Sequence, residues 1–210
     1  MVNLPSLHSM ALMIPAIVLG LTFHEFAHGW MANRLGDRTA RSMGRLTLNP
    51  VAHVDPVGLI LLFLAGFGWA KPVPVNPYNL RGDMRRSMLL VSLAGPATNI
   101  ILAVVAAVVL GAFYGLRLPY FESIMIYMIQ INVVLAIFNL IPIPPLDGSK
   151  ILAGILPGEQ KWLHQLEAYG AIILIVLVFT GAIGFLFRIF VSPIVMLLIS
   201  VANLIYRLVM

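Results

Sequence analysis

Residues 9–33 read SMALMIPAIVLGLTFHEFAHGWMAN. The run is long enough to cross a bilayer, which takes about 20 apolar residues. Its second half nevertheless carries His24, Glu25 and His28. Ionisable side chains at membrane depth are costly, and by default they mark function. An α-helix turns about 100° per residue, so positions four apart lie about 40° apart on one face. His24 and His28 can therefore share one metal ion. Glu25 lies about 60° around the helix from His28, within reach of a water on that metal without being a ligand. This is the spacing of zinc-dependent hydrolysis. The competing reading is a polar cluster that only packs helices together.

Composition points the same way. Of 210 residues, 60% are hydrophobic and 10% charged, against about 25% charged in soluble domains. The chain reads as an all-α polytopic membrane protein. With no cysteine, disulfides, thiolate ligands and a cysteine nucleophile are excluded. Any metal must be held by imidazole and carboxylate. The net charge of +5 reports topology in such a chain, and no aromatic-rich basic patch of the nucleic-acid type is present. The N-terminus MVNLPSLHS has no Lys or Arg, so no secretory signal peptide is read.

Five to six transmembrane helices are expected. The runs 9–33, 88–113, 122–141, 167–187 and 193–209 each approach the length of a span. Gly95-Pro96 interrupts the second, and Arg188 and Pro193 divide the last two. The apolar run 57–69 is short and glycine-containing, so a re-entrant segment is predicted there. Placing 34–56 and 69–87 in the cytosol puts 11 of the 13 Lys and Arg inside and leaves Arg117 and Arg188 outside. The positive-inside rule favours that orientation.

Residues 44–50, GRLTLNP, alternate polar and apolar, which suits a strand. Residues 71–77, KPVPVNP, are extended but too proline-rich for a central strand. A small membrane-associated β region is expected here. Its exposed edge would pair with an unwound substrate.

A catalytic zinc site needs a third protein ligand. The best candidate lies in residues 139–148, NLIPIPPLDG. Its prolines break the helix near the membrane surface, where irregular backbone is tolerated if it lines protein or a wet cavity. Asp147 could then be aimed back into the bundle. The alternative is that Asp147 caps a short helix over 148–156. His24 and His28 lie roughly 15 and 9 Å inside the cytosolic end of their helix, and Asp147 lies just past that end of the 122–141 span. His53 sits in the loop before the re-entrant run. It is either a solvated loop residue or folds over the site as a gate or extra ligand. His8 and His164 read as interfacial.

HEFAH followed by NLIPIPPLDG resembles the site-2 protease family of intramembrane zinc metalloproteases. Gly95-Pro96-Ala97-Thr98-Asn99 is similar to the family's GPxxN segment, and residues 48–58 match a further family pattern. The resemblance covers about 24–148. It implies that His24, His28 and Asp147 ligate one Zn²⁺ and that Glu25 is the general base. Asn139 matches the Asn of the family's late motif and is a candidate to donate to the developing oxyanion or hold substrate backbone; the alternative is hydrogen bonding between helices. Asn99, after a proline-broken stretch, is a weaker candidate for the same work. No PDZ or CBS domain is read, so the likeness is to a minimal form.

The resulting expectation is a single transmembrane peptidase domain over 1–210. The catalytic core covers about 9–156, and a C-terminal helical hairpin about 165–209. It would cleave transmembrane segments of membrane-protein substrates, in a bacterial or archaeal cell membrane, with its site toward the cytosol. Its partners would be those substrates and the lipid bilayer, with no nucleic acid; a homo-oligomer is compatible. The alternative is a divalent-metal transporter or metal-gated membrane protein. Against it, no inverted repeat is visible.

Overall fold

The computed structural model describes residues 6–65, 68–116, 118–158 and 161–209. Arg117, and the side chains of Lys161 and His164, fall outside that description. Eight α-helices run through the described residues: α1 (Leu7–Arg34), α2 (Thr39–Ser42), α3 (Pro56–Ala65), α4 (Met84–Phe113), α5 (Phe121–Asn139), α6 (Asp147–Ile155), α7 (Lys161–Phe179) and α8 (Ala182–Val209). Helices α1, α4, α5 and α8 are long and apolar enough to cross a membrane, and α7 contributes a shorter apolar stretch, Leu166–Phe179.

The bundle core is built largely from small residues. Ala16 of α1, Ala103 and Ala107 of α4, Val133 of α5 and Ala202 of α8 meet in it. Lipid is as apolar as leucine, so close backbone packing has to hold such helices together. Gly111 shows this, because a Cβ there would run into the Ala202 carbonyl of α8. Large apolar residues face outward instead, among them Ile101, Val105, Leu197 and Leu204.

Two breaks differ from expectation. Helix α4 continues through Gly95-Pro96 from Met84 to Phe113. The last two helices divide at Thr180-Gly181, where Gly181 takes φ +78°, a left-handed conformation that only glycine adopts without cost. Helix α8 then runs through Pro193, so Arg188 lies inside it rather than in a connecting loop. Neighbouring helices and local adjustment let a membrane helix tolerate proline.

The strand expected over 44–49 does not form. Those residues make turns and bends, and the described residues contain only an isolated antiparallel bridge, Val54 to Ala70. The Lys71 N–H also donates to the His53 carbonyl at 2.8 Å. These bonds bring the two ends of the 55–69 segment together, an arrangement compatible with the expected re-entrant segment. A Cβ on Gly58 would strike the backbone of Trp69, which is why the two limbs can lie this close.

The segment that follows, residues 71–81, is an extended strap with several fastenings. Arg45 donates from Nη2 to the Lys71 and Pro72 carbonyls. The Asn76 N–H donates to Asp37 Oδ2 at 2.7 Å, and the Arg81 N–H to the Leu35 carbonyl at 2.8 Å. Asp37 is fully buried. Burial raises its carboxyl pKa, but hydrogen bonds from Thr39, Asn76 and Asn79 outweigh this and hold it below the ordinary value.

Candidate metal centre

Helix α1 presents His24 and His28 one turn apart on its buried face. Asp147 arrives from the other side of the sequence. Helix α5 stops at Asn139, residues 140–146 form an irregular turn, and Asp147 opens α6 as its first residue. It does not cap α6; Leu146 holds the capping position without a side-chain bond. The carboxylate therefore remains available to the bundle. Gly148 is required beside it, since a Cβ would strike the Leu140 and Ile141 carbonyls.

The three side chains meet. His24 Nε2 lies 3.1 Å from Asp147 Oδ2, His28 Nε2 lies 3.0 Å from the same oxygen, and the two Nε2 atoms are 3.0 Å apart. All three residues are buried. Their other contacts decide what these atoms offer. His28 Nδ1 lies 2.7 Å from the Val91 carbonyl, which can only accept. His24 Nδ1 lies 2.6 Å from Asn99 Oδ1, also an acceptor. Both imidazoles must then carry their proton on Nδ1, which leaves the Nε2 lone pairs facing each other and a carboxylate. Two imidazole nitrogens and one carboxylate oxygen are a donor set that suits zinc. The protonated Nδ1 held by an oxygen is the usual second shell of such ligands. Among the described residues these three form the one His and carboxylate group that could hold a metal ion.

Helix α4 supplies the space and the support. Gly95 backs directly onto the imidazoles, with a hypothetical Cβ 2.5 Å from His28 Nε2 and 2.6 Å from His24 Cε1. One turn on, Asn99 is fully buried and bonded at both ends of its amide, to His24, the Gly20 carbonyl and Asn132. It sits behind His24, bonded between helices, and is not among the residues that line the cavity described next.

A cavity of about 340 Å³ opens beside the cluster, lined by Glu25, Val73, Met88, Asn139 and Lys150 as well as the three donors. Glu25 Oε2 accepts the Val73 N–H at 2.7 Å, so the strap holds one carboxylate oxygen in place. Asn139 donates from Nδ2 to the Leu135 carbonyl at 3.0 Å, leaving its second amide proton free of that bond. His53 is not brought to the cluster. It is fully buried at the foot of the 55–69 segment, its Nε2 2.7 Å from the Thr47 carbonyl and its Nδ1 unpartnered. Its burial is at odds with the solvated-loop reading, and it does not join the three donors in this arrangement.

Comparison with known proteins agrees with this geometry. The profile of peptidase family M50 matches residues 12–121 and 116–183.

This chain belongs to peptidase family M50.

M50 relatives carry matching names. "Putative zinc metalloprotease YwhC" of Bacillus subtilis is 43% identical over 182 residues, 81% of either chain. "Putative zinc metalloprotease Rip2" of Mycolicibacterium smegmatis is 34% identical, over 82% of this chain and 68% of its own. "Putative zinc metalloprotease MJ0611" of Methanocaldococcus jannaschii is 33% identical, over 65% and 66%. No solved structure matches the chain. It is a membrane-embedded zinc metalloprotease of the M50 family, and the transporter alternative falls away.

Sequence reasoning passed over two residues of this M50 site. Gly95 was read as a helix interruption and as the first residue of the GPxxN-like segment, without a contact to the histidines being expected of it. Asn132 was not singled out, although an amide in the middle of the 19-residue apolar helix α5 was itself a signal.

Proposed function

We propose that this M50 protease cuts peptide bonds within the membrane-embedded segments of other membrane proteins. One zinc per chain would be held by His24, His28 and Asp147, with Glu25 as general base. The observation that carries this reading is the convergence of three donor atoms, 3.0–3.1 Å apart, at a cavity that also receives Glu25. Four long apolar helices place that cavity in a membrane protein.

When bound, zinc polarises a carbonyl and lowers the pKa of water from 15.7 to about 7. The rest is work for the chain. Glu25 has Oε2 committed to the Val73 N–H, so Oε1 takes the proton from water and later passes it to the leaving amine nitrogen. Asn139 has an amide proton to offer the oxygen on which charge develops. The apolar walls contributed by Val73, Val75 and Met88 limit water to what the reaction needs and accept the side chains of an apolar substrate. A helix conceals its amides in its own hydrogen bonds, so the substrate must unwind locally before this cavity can receive it.

The scissile bond tests this directly. Purified protein in liposomes with a single-span membrane protein should cut inside the apolar segment, as read by mass spectrometry of the products. A zinc chelator should stop the reaction, and added zinc should restore it. Cuts confined to the water-exposed tails would refute the proposal.

A cytosolic orientation of the site is part of the same proposal; the basic residues of 34–56 and 69–87 support it. The chain is free of cysteine, so single cysteines report sidedness cleanly. Met43→Cys, at a position 62% exposed, should resist an impermeant maleimide in intact cells and react after permeabilisation. Leu118→Cys, at a position 54% exposed, should react in intact cells. The opposite pattern would reverse the orientation.

A further inference from the structure

We propose that Asn132 is a positioning residue for the metal centre: through Asn99 it sets which nitrogen of His24 is free to bind zinc. The inference rests on the proposed ligand role of His24 and goes one step behind it.

A relay of four hydrogen bonds runs across three helices. His24 on α1 donates from Nδ1 to Asn99 Oδ1 on α4 at 2.6 Å. Asn99 Nδ2 donates to Asn132 Oδ1 on α5 at 2.9 Å and to the Gly20 carbonyl on α1 at 3.1 Å. Asn132 Nδ2 donates to the Met128 carbonyl, one turn back on its own helix, at 2.8 Å. Asn99 and Asn132 are both fully buried, so no solvent competes for these groups.

The direction of the relay matters more than its presence. A carboxamide has a donor end and an acceptor end, and Asn99 could be turned either way toward His24. Turned the other way, it would give His24 Nδ1 a proton to accept. The imidazole proton would then sit on Nε2, where it blocks the lone pair. Two acceptors behind Asn99, the Gly20 carbonyl and Asn132 Oδ1, hold its donor end away from His24. The Gly20 carbonyl is fixed by backbone. Asn132 could itself turn, and the Met128 carbonyl prevents this by accepting from Nδ2. The Met128 carbonyl thus orients Asn132, Asn132 orients Asn99, and Asn99 fixes the tautomer of His24. Packing preserves the arrangement. A Cβ on Gly20 would lie 3.0 Å from Asn132 Oδ1 and 2.8 Å from Leu135 Cδ1, so glycine one turn before His24 lets α1 and α5 close around the relay.

Chemistry separates this role from plain helix packing. Asn132→Leu fills a similar volume and removes both bonds. It leaves one Asn99 N–H buried without a partner. Asn132→Asp, neutral when protonated in this buried setting, restores both: its carbonyl oxygen accepts from Asn99 and its hydroxyl donates to Met128.

The test measures zinc affinity by chelator competition and the visible spectrum of the cobalt-substituted protein, alongside thermal unfolding in detergent. Loss of an outer-shell partner costs 10–100-fold in metal affinity. Asn132→Leu should bind zinc about 10-fold more weakly with an altered cobalt spectrum, and Asn132→Asp should return both toward native. Asn132→Ala gives the same comparison if the leucine chain does not accumulate. Native affinity and spectrum in the leucine or alanine chain, with only the unfolding temperature lowered, would overturn the proposal and leave the metal centre standing. If the unsubstituted protein holds no zinc, or His24→Ala holds as much, the metal centre itself fails.

Discussion

Glu25→Gln should leave zinc bound at the native level and lower the cleavage rate about 10³-fold, equivalent to about 4 kcal/mol of barrier. The two halves of that result have separate causes. Glutamine has the size of glutamate, and its Oε1 can still accept the Val73 N–H that Glu25 now holds at 2.7 Å. The strap should stay in place, and so should the cavity it walls. The three proposed ligands do not include residue 25, so metal content has no reason to change. What glutamine lacks is a lone pair basic enough to take a proton from water near neutral pH. Measuring zinc and product formation on the same preparation settles the assignment. Native cleavage would move the base elsewhere. Loss of zinc together with cleavage would make Glu25 a structural part of the metal site.

The sequence made the two ends of this site legible for different reasons. HEFAH is local: spacing on a helix converts directly into shared direction, so the common placement of His24, Glu25 and His28 beside the cavity was legible with no tertiary information. Asp147 is distant, and it was reachable because Pro142, Pro144 and Pro145 forbid continued helix there. The glycine-containing run 57–69 likewise looked too short to span, and the residues that flank it, Val54 and Ala70, pair in an antiparallel bridge.

Where local patterns have more than one outcome, the sequence reading went astray. Alternation over 44–49 satisfies an irregular turn as readily as a strand, and nothing in the sequence supplies the pairing partner a strand needs. Pro96 and Pro193 look like breaks, yet both lie inside continuous helices, because packed neighbours compensate for a missing bond. The break that does occur depends on φ +78° at Gly181, one glycine among 17. Asn99 was assigned to the substrate by its motif, whereas its orientation is decided by α1 and α5, which only the tertiary structure brings beside it. His53 illustrates the same limit, since loop position implied exposure and the fold buries it completely.

Gly95→Ala should abolish the site with a single methyl group. The added carbon would lie 2.5 Å from His28 Nε2 and 2.6 Å from Cε1 of both histidines, well inside van der Waals contact. Relief requires movement of the rings or of α4. The rings are not free, because Asn99 Oδ1 holds His24 and the Val91 carbonyl holds His28. Turning either ring breaks its bond and takes Nε2 out of the donor triangle. Helix α4 packs against α1, α5, α6 and α8, so its retreat would open the bundle. Overpacking of this kind costs about 1–3 kcal/mol, and a misplacement near 1 Å at reacting groups costs about 100-fold in rate. The variant should therefore keep less than a tenth of the zinc and lose at least about 100-fold in cleavage. Gly184→Ala is the matched control. It makes the same change inside the long apolar helix α8, where a Cβ meets nothing within 4 Å. There alanine should be neutral or stabilising by about 0.5–1 kcal/mol, since glycine is the poorer helix former. Native zinc in the Gly95→Ala protein would show that the imidazoles are not where this geometry places them. Loss of zinc in both variants would trace the effect to helix rigidity and away from the contact between Gly95 and the two histidines.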